Sequence, residues 1–182
     1  MTPSELGALL RAAPPRAGAT RVIAFDGRSG SGKSTLARAL RDELGAPLLS
    51  MEDLYGGWNG LENGIDLLVS EVFEPLAAGR TALVPRYDWI ARTWAAPVEL
   101  APPGLLVIEG VGAGARRAAA YVSVLVWLDA TEPTRKKRAL GRDGDVYLPH
   151  WNDWAVQEKR MLERERTSQR ADVVLDTEAP PT

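Results

Sequence analysis

The amino-acid sequence predicts an α/β fold, a largely parallel sheet with helices on both of its faces. Three observations predict it. Short β-branched or apolar runs alternate with segments of helical period along the chain, the order that builds a parallel sheet. Two of these runs, "GLLVIEG" (104–110) and "VSVLVWLD" (122–129), are apolar almost throughout, as strands covered on both faces must be. A third run leads through a glycine-rich turn directly into a helical pattern.

Taken in order, "RVIAF" (21–25) is the first strand, and it ends at Asp26-Gly27. Residues 33–44 read as a helix, because Leu36, Leu40 and Leu44 recur every fourth residue and Gly45 follows as a stop. "APLLSM" (46–51) is a second strand, and "GGWNG" (56–60) a flexible loop. Over 64–78, Ile65, Leu68, Val69, Val72, Phe73 and Leu76 keep helical spacing up to Gly79. "TALVPRYDW" (81–89) and "APVELAP" (96–102) are proline-bounded extended pieces, suited to a small hairpin outside the main sheet. The two apolar strands follow. Thr131 and Pro133 then open a helix running through Arg142, and residues 151–166 form a second, charge-rich helix. Its stretch "QEKRMLERER" (157–166) reads as a solvated face, with Met161 and Leu162 packing inward. "ADVVLD" (171–176) is the last strand and "TEAPPT" a frayed tail.

Composition narrows the function classes. The 182 residues are 45% hydrophobic, enough for one domain with its own core, and no linker or repeat divides them. A net charge of −2 offers no basic surface for nucleic acid. The absence of cysteine excludes disulfides, thiolate metal sites and a thiol nucleophile, and the lone His150 argues against a Ser-His-Asp triad. No apolar run approaches the roughly 20 residues of a membrane span, and the N-terminus, broken by Arg11 and Pro14-Pro15, lacks the pattern of a signal peptide. A cytoplasmic protein without membrane partners is the expectation; monomer and homo-oligomer both stay open.

The chemistry is concentrated in the first turn. Gly27-Arg28-Ser29-Gly30-Ser31-Gly32-Lys33-Ser34 fits G-x-x-x-x-G-K-[ST], and Thr35 follows. Glycines let such a loop turn its N–H groups around an anion, and the following helix adds its positive end. Lys33 is expected to reach the β- and γ-phosphates of a nucleoside triphosphate, with Ser34 on Mg²⁺. Asp53, just past the second strand, lies where strand ends converge on the ligand crevice and is the expected base for an attacking hydroxyl. Glu109 closes a buried strand beside the loop and is the expected organiser of Mg²⁺. Arg135, Arg138 and Arg142 share one helix face, suited to a lid that stabilises transferring phosphates. Neither a guanine-specifying Asn-Lys-x-Asp nor a transporter signature is present.

With these residues in view, the chain resembles the uridine kinase-like group of P-loop kinases, relatives of phosphoribulokinase and pantothenate kinase. The resemblance rests on "GRSGSGKST" (27–35), "EDLY" (52–55), "YDW" (87–89), "VIEG" (107–110) and "TRKKRALGRD" (134–143), and "ADVVLD" looks like that group's last strand. It implies a P-loop NTPase fold, a three-layer α/β/α sandwich with a five-stranded parallel sheet of order 2-3-1-4-5 and a small helical lid. It implies one kinase domain over 1–182, with an acceptor lobe at about 52–102 and a lid at about 135–160. By the same resemblance Asp53 matches the catalytic base, Tyr55 a residue near the acceptor and Asp88 a carboxylate on sugar hydroxyls. Tyr87 and Trp89 flank Asp88 in the sugar-binding segment, and Arg138 and Arg142 match lid and phosphate contacts. That segment departs from the group's Phe-Asp-His-Pro, so uridine itself is not carried over.

The implied activity is an ATP- and Mg²⁺-dependent transfer to a hydroxyl of a small molecule such as a nucleoside. Two rival readings stay open. A nucleoside monophosphate kinase would need extra cations, for which Arg80, Arg86 and Arg92 are available; a nucleotide-sensing module would do no acceptor chemistry.

Overall fold

In the computed structural model, residues 1–178 are described; residues 179–182, the end of the expected frayed tail, lie outside the described residues. Five strands form one parallel sheet: β1 (Arg21–Asp26), β2 (Leu48–Ser50), β5 (Leu105–Glu109), β6 (Val124–Asp129) and β7 (Val173–Asp176). Their spatial order is β2-β5-β1-β6-β7. Between the second and third of them the chain inserts an antiparallel hairpin, β3 (Ala82–Asp88) and β4 (Thr93–Leu100), which pairs only with itself. Counted without the hairpin, the sheet order reads 2-3-1-4-5.

Period-two alternation puts opposite faces of β1 into different cores. Val22 and Ala24 pack with Leu106, Ile108 and Leu125 on one face. Ile23 and Phe25 pack with Val107, Val126 and Leu40 on the other. This makes the three layers. One layer holds α1 (Pro3–Ala12) and α2 (Lys33–Leu44). The other is built on the helical stretch made of α3 (Leu61–Leu67), a π-helical turn (Leu68–Phe73) and α4 (Glu74–Ala77). The stretch agrees with the helix expected over 64–78. Its wide turn ends two residues before Pro75, which has no N–H to offer an α-helical bond and crowds the turn before it.

The helix α1 is absent from the sequence reading. Its signal was Thr2-x-x-Glu5: the Thr2 hydroxyl accepts from the Glu5 N–H, the Glu5 carboxylate accepts from the Thr2 N–H, and Pro3 follows the cap. Leu6 and Leu10 are then buried against α2. The helix α5 (Glu132–Tyr147) runs past the expected end at Arg142 and breaks at Gly144 (φ 52°, ψ −133°). A 3₁₀ turn (Leu148–His150) leads into α6 (Trp151–Glu165), and α7 (Thr167–Arg170) precedes β7. Among the described residues, no helix is long and apolar enough to cross a membrane.

Candidate active site

Residues 27–35 leave the C-terminal end of β1 and wrap the start of α2. Gly27, Gly30 and Gly32 take φ of 147°, 80° and 96°, which side chains rarely adopt. Three of the loop's carbonyls are held by side chains. Arg28 O accepts from Lys33 Nζ at 3.0 Å, Ser29 O from Arg135 Nη1 at 3.2 Å, and Ser31 O from the Thr177 hydroxyl at 3.0 Å. Gly30 lies flat on the backbone of Arg135, where an added Cβ would come within 2.1 Å of the carbonyl oxygen. The α2 cap, Gly32, offers no side-chain bond, so the first N–H groups of that helix are left for an anion. Gly30→Ala combines this clash with an unfavourable φ, together about 1–3 kcal/mol of strain. A loss of roughly tenfold or more in MgATP affinity is the expected result of an equilibrium titration.

Just before the loop, Asp26 is fully buried and accepts from three backbone N–H groups, Gly27 at 2.7 Å, Gly112 at 2.9 Å and Gly114 at 3.0 Å. Burial pushes its carboxyl above the ordinary range, against the pull of these bonds and of Lys33. Burial likewise lowers the Lys33 ammonium, opposed by the carboxylates of Glu109, Glu158, Asp26 and Glu52.

The loop opens into a cleft of about 610 Å³. Its floor is Ser29, Gly30, Gly32, Lys33, Ser34 and Thr35; α5 covers it with Arg138, Arg142 and Tyr147. Glu109, at the end of β5, holds two hydroxyls: Ser34 Oγ donates to Oε2 at 3.0 Å and Ser50 Oγ to Oε1 at 2.8 Å. Oxygen donors alone, few in number, suit Mg²⁺, which keeps several waters and binds substrate phosphates. Among the described residues no group of three or more His, Cys, Asp or Glu is placed to hold a metal ion. A Mg²⁺ here would therefore rest on Ser34 and Glu109 and complete its shell from phosphate and water.

The far wall is aromatic. Trp58 stacks on His150 (4.4 Å, 15°) and Tyr147 (5.2 Å, 14°), and Trp89 meets its edge at 4.9 Å. Tyr55 donates its hydroxyl to Val111 O at 3.0 Å and tilts against Trp154 at 4.9 Å. Burial, with the Glu52 and Glu109 carboxylates, pushes its phenol well above the usual value, so Tyr55 serves as a donor and not a base. Glu52 brings an acidic group to this side: its carboxylate receives Arg142 at 3.2 Å, and its carbonyl accepts from Trp89 Nε1 at 3.0 Å.

No family model matches the chain. A cytidylate kinase of Pyrobaculum arsenaticum is 32% identical over 146 residues, covering 80% of this chain and 72% of that protein. The chain belongs to the P-loop kinases. A cytidylate kinase of Pseudomonas putida is 46% identical over 59 residues, 31% of this chain and 26% of that one. In the fold, this P-loop kinase is similar to a possible uridine kinase from Bacillus stearothermophilus (TM-score 0.67, 24% identity), covering 96% of this chain and 97% of that one. A Silicibacter sp. TM1040 protein assigned as a fructose transport system kinase aligns with TM-score 0.63 and 25% identity, over 96% and 99% of the two chains. P-loop kinases are phosphotransferases that generally use ATP and Mg²⁺.

Several expected site residues of the kinase take other places. Asp53 does not line the cleft; Glu52 does. Both belong to one 3₁₀ turn (Met51–Asp53), in which successive side chains diverge by about a third of a revolution. Asp53 is half-buried instead, its carboxyl raised by burial and by Glu109 and lowered by Arg86. Asp88 is exposed and caps the hairpin turn, accepting from Ile90 N and Ala91 N at 2.9 Å each. Tyr87 lines a neighbouring depression with Trp58 and Arg92, and Trp89 lines both. Gly27, Arg28 and Ser31 shape the phosphate loop from behind; they are not among the cleft-lining residues. Arg135 does not share the exposed face of Arg138 and Arg142; it is 2% exposed and bonds Ser29 O and Ala130 O. Arg138 bonds the Thr177 hydroxyl and carbonyl. The helix read as a solvated face buries Glu158 and Glu165. Ser50 and Glu158 carried no motif; their only signal was position, one at a strand end and the other four residues after Trp154 on α6.

Proposed function

We propose that this kinase transfers the γ-phosphoryl group of MgATP to a hydroxyl of a small molecule that carries a flat ring, such as a nucleoside. The observation that carries the reading is the makeup of the acceptor side: the Glu52 carboxylate lines the same cleft as the phosphate loop, together with the rings of Tyr55, Trp58, Trp89 and Tyr147. A carboxylate suits a hydroxyl, whose proton it can accept; it repels a phosphate. Aromatic faces suit a planar ring.

In this reading the residues divide the work. The backbone of residues 30–35, the α2 N-terminus and Lys33 bind and orient the triphosphate. Mg²⁺, held through Ser34 with Glu109, neutralises phosphate charge when bound. Arg138 and Arg142 add positive charge over the transferring group from α5, whose closure excludes water. Glu52 orients the acceptor hydroxyl and takes its proton, and its bond to Arg142 ties the base to the lid. Residues from about 52 to 102 serve as the acceptor lobe and those from about 135 to 160 as the lid of a single kinase domain.

A second reading, a nucleoside monophosphate kinase, is favoured by the two cytidylate kinase relatives. The arginines available for an acceptor phosphate argue against it: Arg80 and Arg86 do not line the cleft, and Arg92 lines only the neighbouring depression. ADP release with MgATP against paired nucleosides and nucleoside 5′-monophosphates separates the two. Stimulation by the nucleoside member supports hydroxyl transfer. Stimulation by the monophosphate alone sinks it in favour of the second reading.

A further inference from the structure

An anion beside a phosphate-binding loop competes with phosphate for its donors, yet α6 delivers one to it. Glu158 is 1% exposed. Taking a carboxylate out of water costs several kcal/mol unless its oxygens are fully engaged. They are. Its Oε1 accepts from Ser29 N at 2.8 Å, the Ser29 hydroxyl at 2.5 Å and Trp154 Nε1 at 2.9 Å, and its Oε2 from Arg28 Nε at 3.2 Å. Glu158 is not among the residues lining the cleft, so it acts from behind the loop and not on a bound molecule.

The same turn of α6 reaches the acceptor side. Gln157 donates Nε2 to the carbonyl of Trp58 at 2.8 Å, and the Trp154 ring meets the edge of Trp58 at 6.3 Å while its Nε1 also reaches Ser29 Oγ at 3.0 Å. Residues 154, 157 and 158 stand at i, i+3 and i+4, neighbours on one helix surface. One turn thus holds Ser29 of the phosphate loop and Trp58 of the acceptor wall.

We propose that Glu158 is a positioning residue for phosphoryl transfer: acting through Ser29, it fixes the first half of the phosphate loop and sets it in register with the acceptor wall. The role rests on the reading of the cleft as a MgATP site. A carboxylate is required because Oε1 carries three donors while Oε2 faces a guanidinium. An amide can satisfy one side only, and its NH₂ then opposes Arg28 or Ser29.

The test is equilibrium titration of the full chain with MgATP, without acceptor, for wild type, Glu158→Gln, Ser29→Ala and the double variant. Thermal melts of each variant accompany the titrations. Glu158→Gln is expected to weaken MgATP binding about tenfold, the scale of one charge-assisted hydrogen bond. Ser29→Ala is expected to weaken it about threefold. The double variant is expected to bind no worse than Glu158→Gln alone, because the carboxylate works through that serine. A folded Glu158→Gln that binds MgATP within twofold of wild type overturns the role, and so do strictly additive losses. Should Glu158→Gln not fold, Ser29→Ala decides: threefold or greater weakening supports the tie, and unchanged affinity overturns it. A wild type that does not bind MgATP overturns the nucleotide reading itself, an outcome distinct from a wild type that binds and a Glu158→Gln that binds equally well.

Discussion

Glu52→Gln is expected to lower turnover with the acceptor by about 10²–10⁴-fold, the usual contribution of a positioned base, while MgATP affinity changes by no more than a few-fold. The asymmetry follows from where Glu52 sits. It faces the cleft from the turn after β2 and bonds Arg142 of α5, whereas the phosphate loop is built from other residues. Glutamine keeps the length and one oxygen for Arg142 but cannot take a proton. Asp53→Asn, one residue on, is the control, since Asp53 is not among the residues lining the cleft; its turnover is expected within a few-fold of wild type. Steady-state kinetics on the two variants side by side decide the assignment. A large loss in Asp53→Asn with a normal Glu52→Gln would return the role of base to Asp53.

Asp26→Ala is expected to destabilise the fold by about 3–5 kcal/mol, read as a fall of roughly 10 °C in Tm. No solvent reaches this carboxylate, and its removal strands the N–H groups of Gly27, Gly112 and Gly114 in the interior. Each orphaned group costs about 1–3 kcal/mol. The three N–H groups belong to two loops, one after β1 and one after β5, so the loss also frees the phosphate loop from the turn beside it. A melt within 2 °C of wild type, by the same scaling, would mean that water replaces the carboxylate without cost.

Much of this molecule is legible in the chain because the relevant contacts are local. The phosphate loop is nine consecutive residues whose glycines, lysine and hydroxyls have their roles set by backbone geometry. Glu109 could be placed because a strand's end in a parallel sheet points at the crevice. The hairpin could be separated from the sheet because Pro85 and Pro97 cannot serve in a central strand. Legibility stops where a side chain's direction depends on a partner far along the chain. Asp88 and Glu52 are adjacent to plausible alternatives, and turn geometry alone chooses between facing a ligand and capping a bend. In "QEKRMLERER" the glutamates at 158, 163 and 165 are alike in sequence; two are buried, one against Ser29 and one against the N–H of Arg116, and Glu163 pairs at the surface with Lys159.

By itself, then, the sequence determined the parallel sheet, the phosphate loop and the strand-end carboxylate beside it, since periodicity and local backbone rules act over a few residues. Only the tertiary structure decided that Glu52 faces the cleft, that Arg135 braces the loop from behind, and that Glu158 joins Ser29 across 129 residues of chain. The physical reason is the same in each case. A charged side chain leaves water only where its donors or acceptors have been assembled for it, and here those partners come from segments that meet only when the sheet has formed.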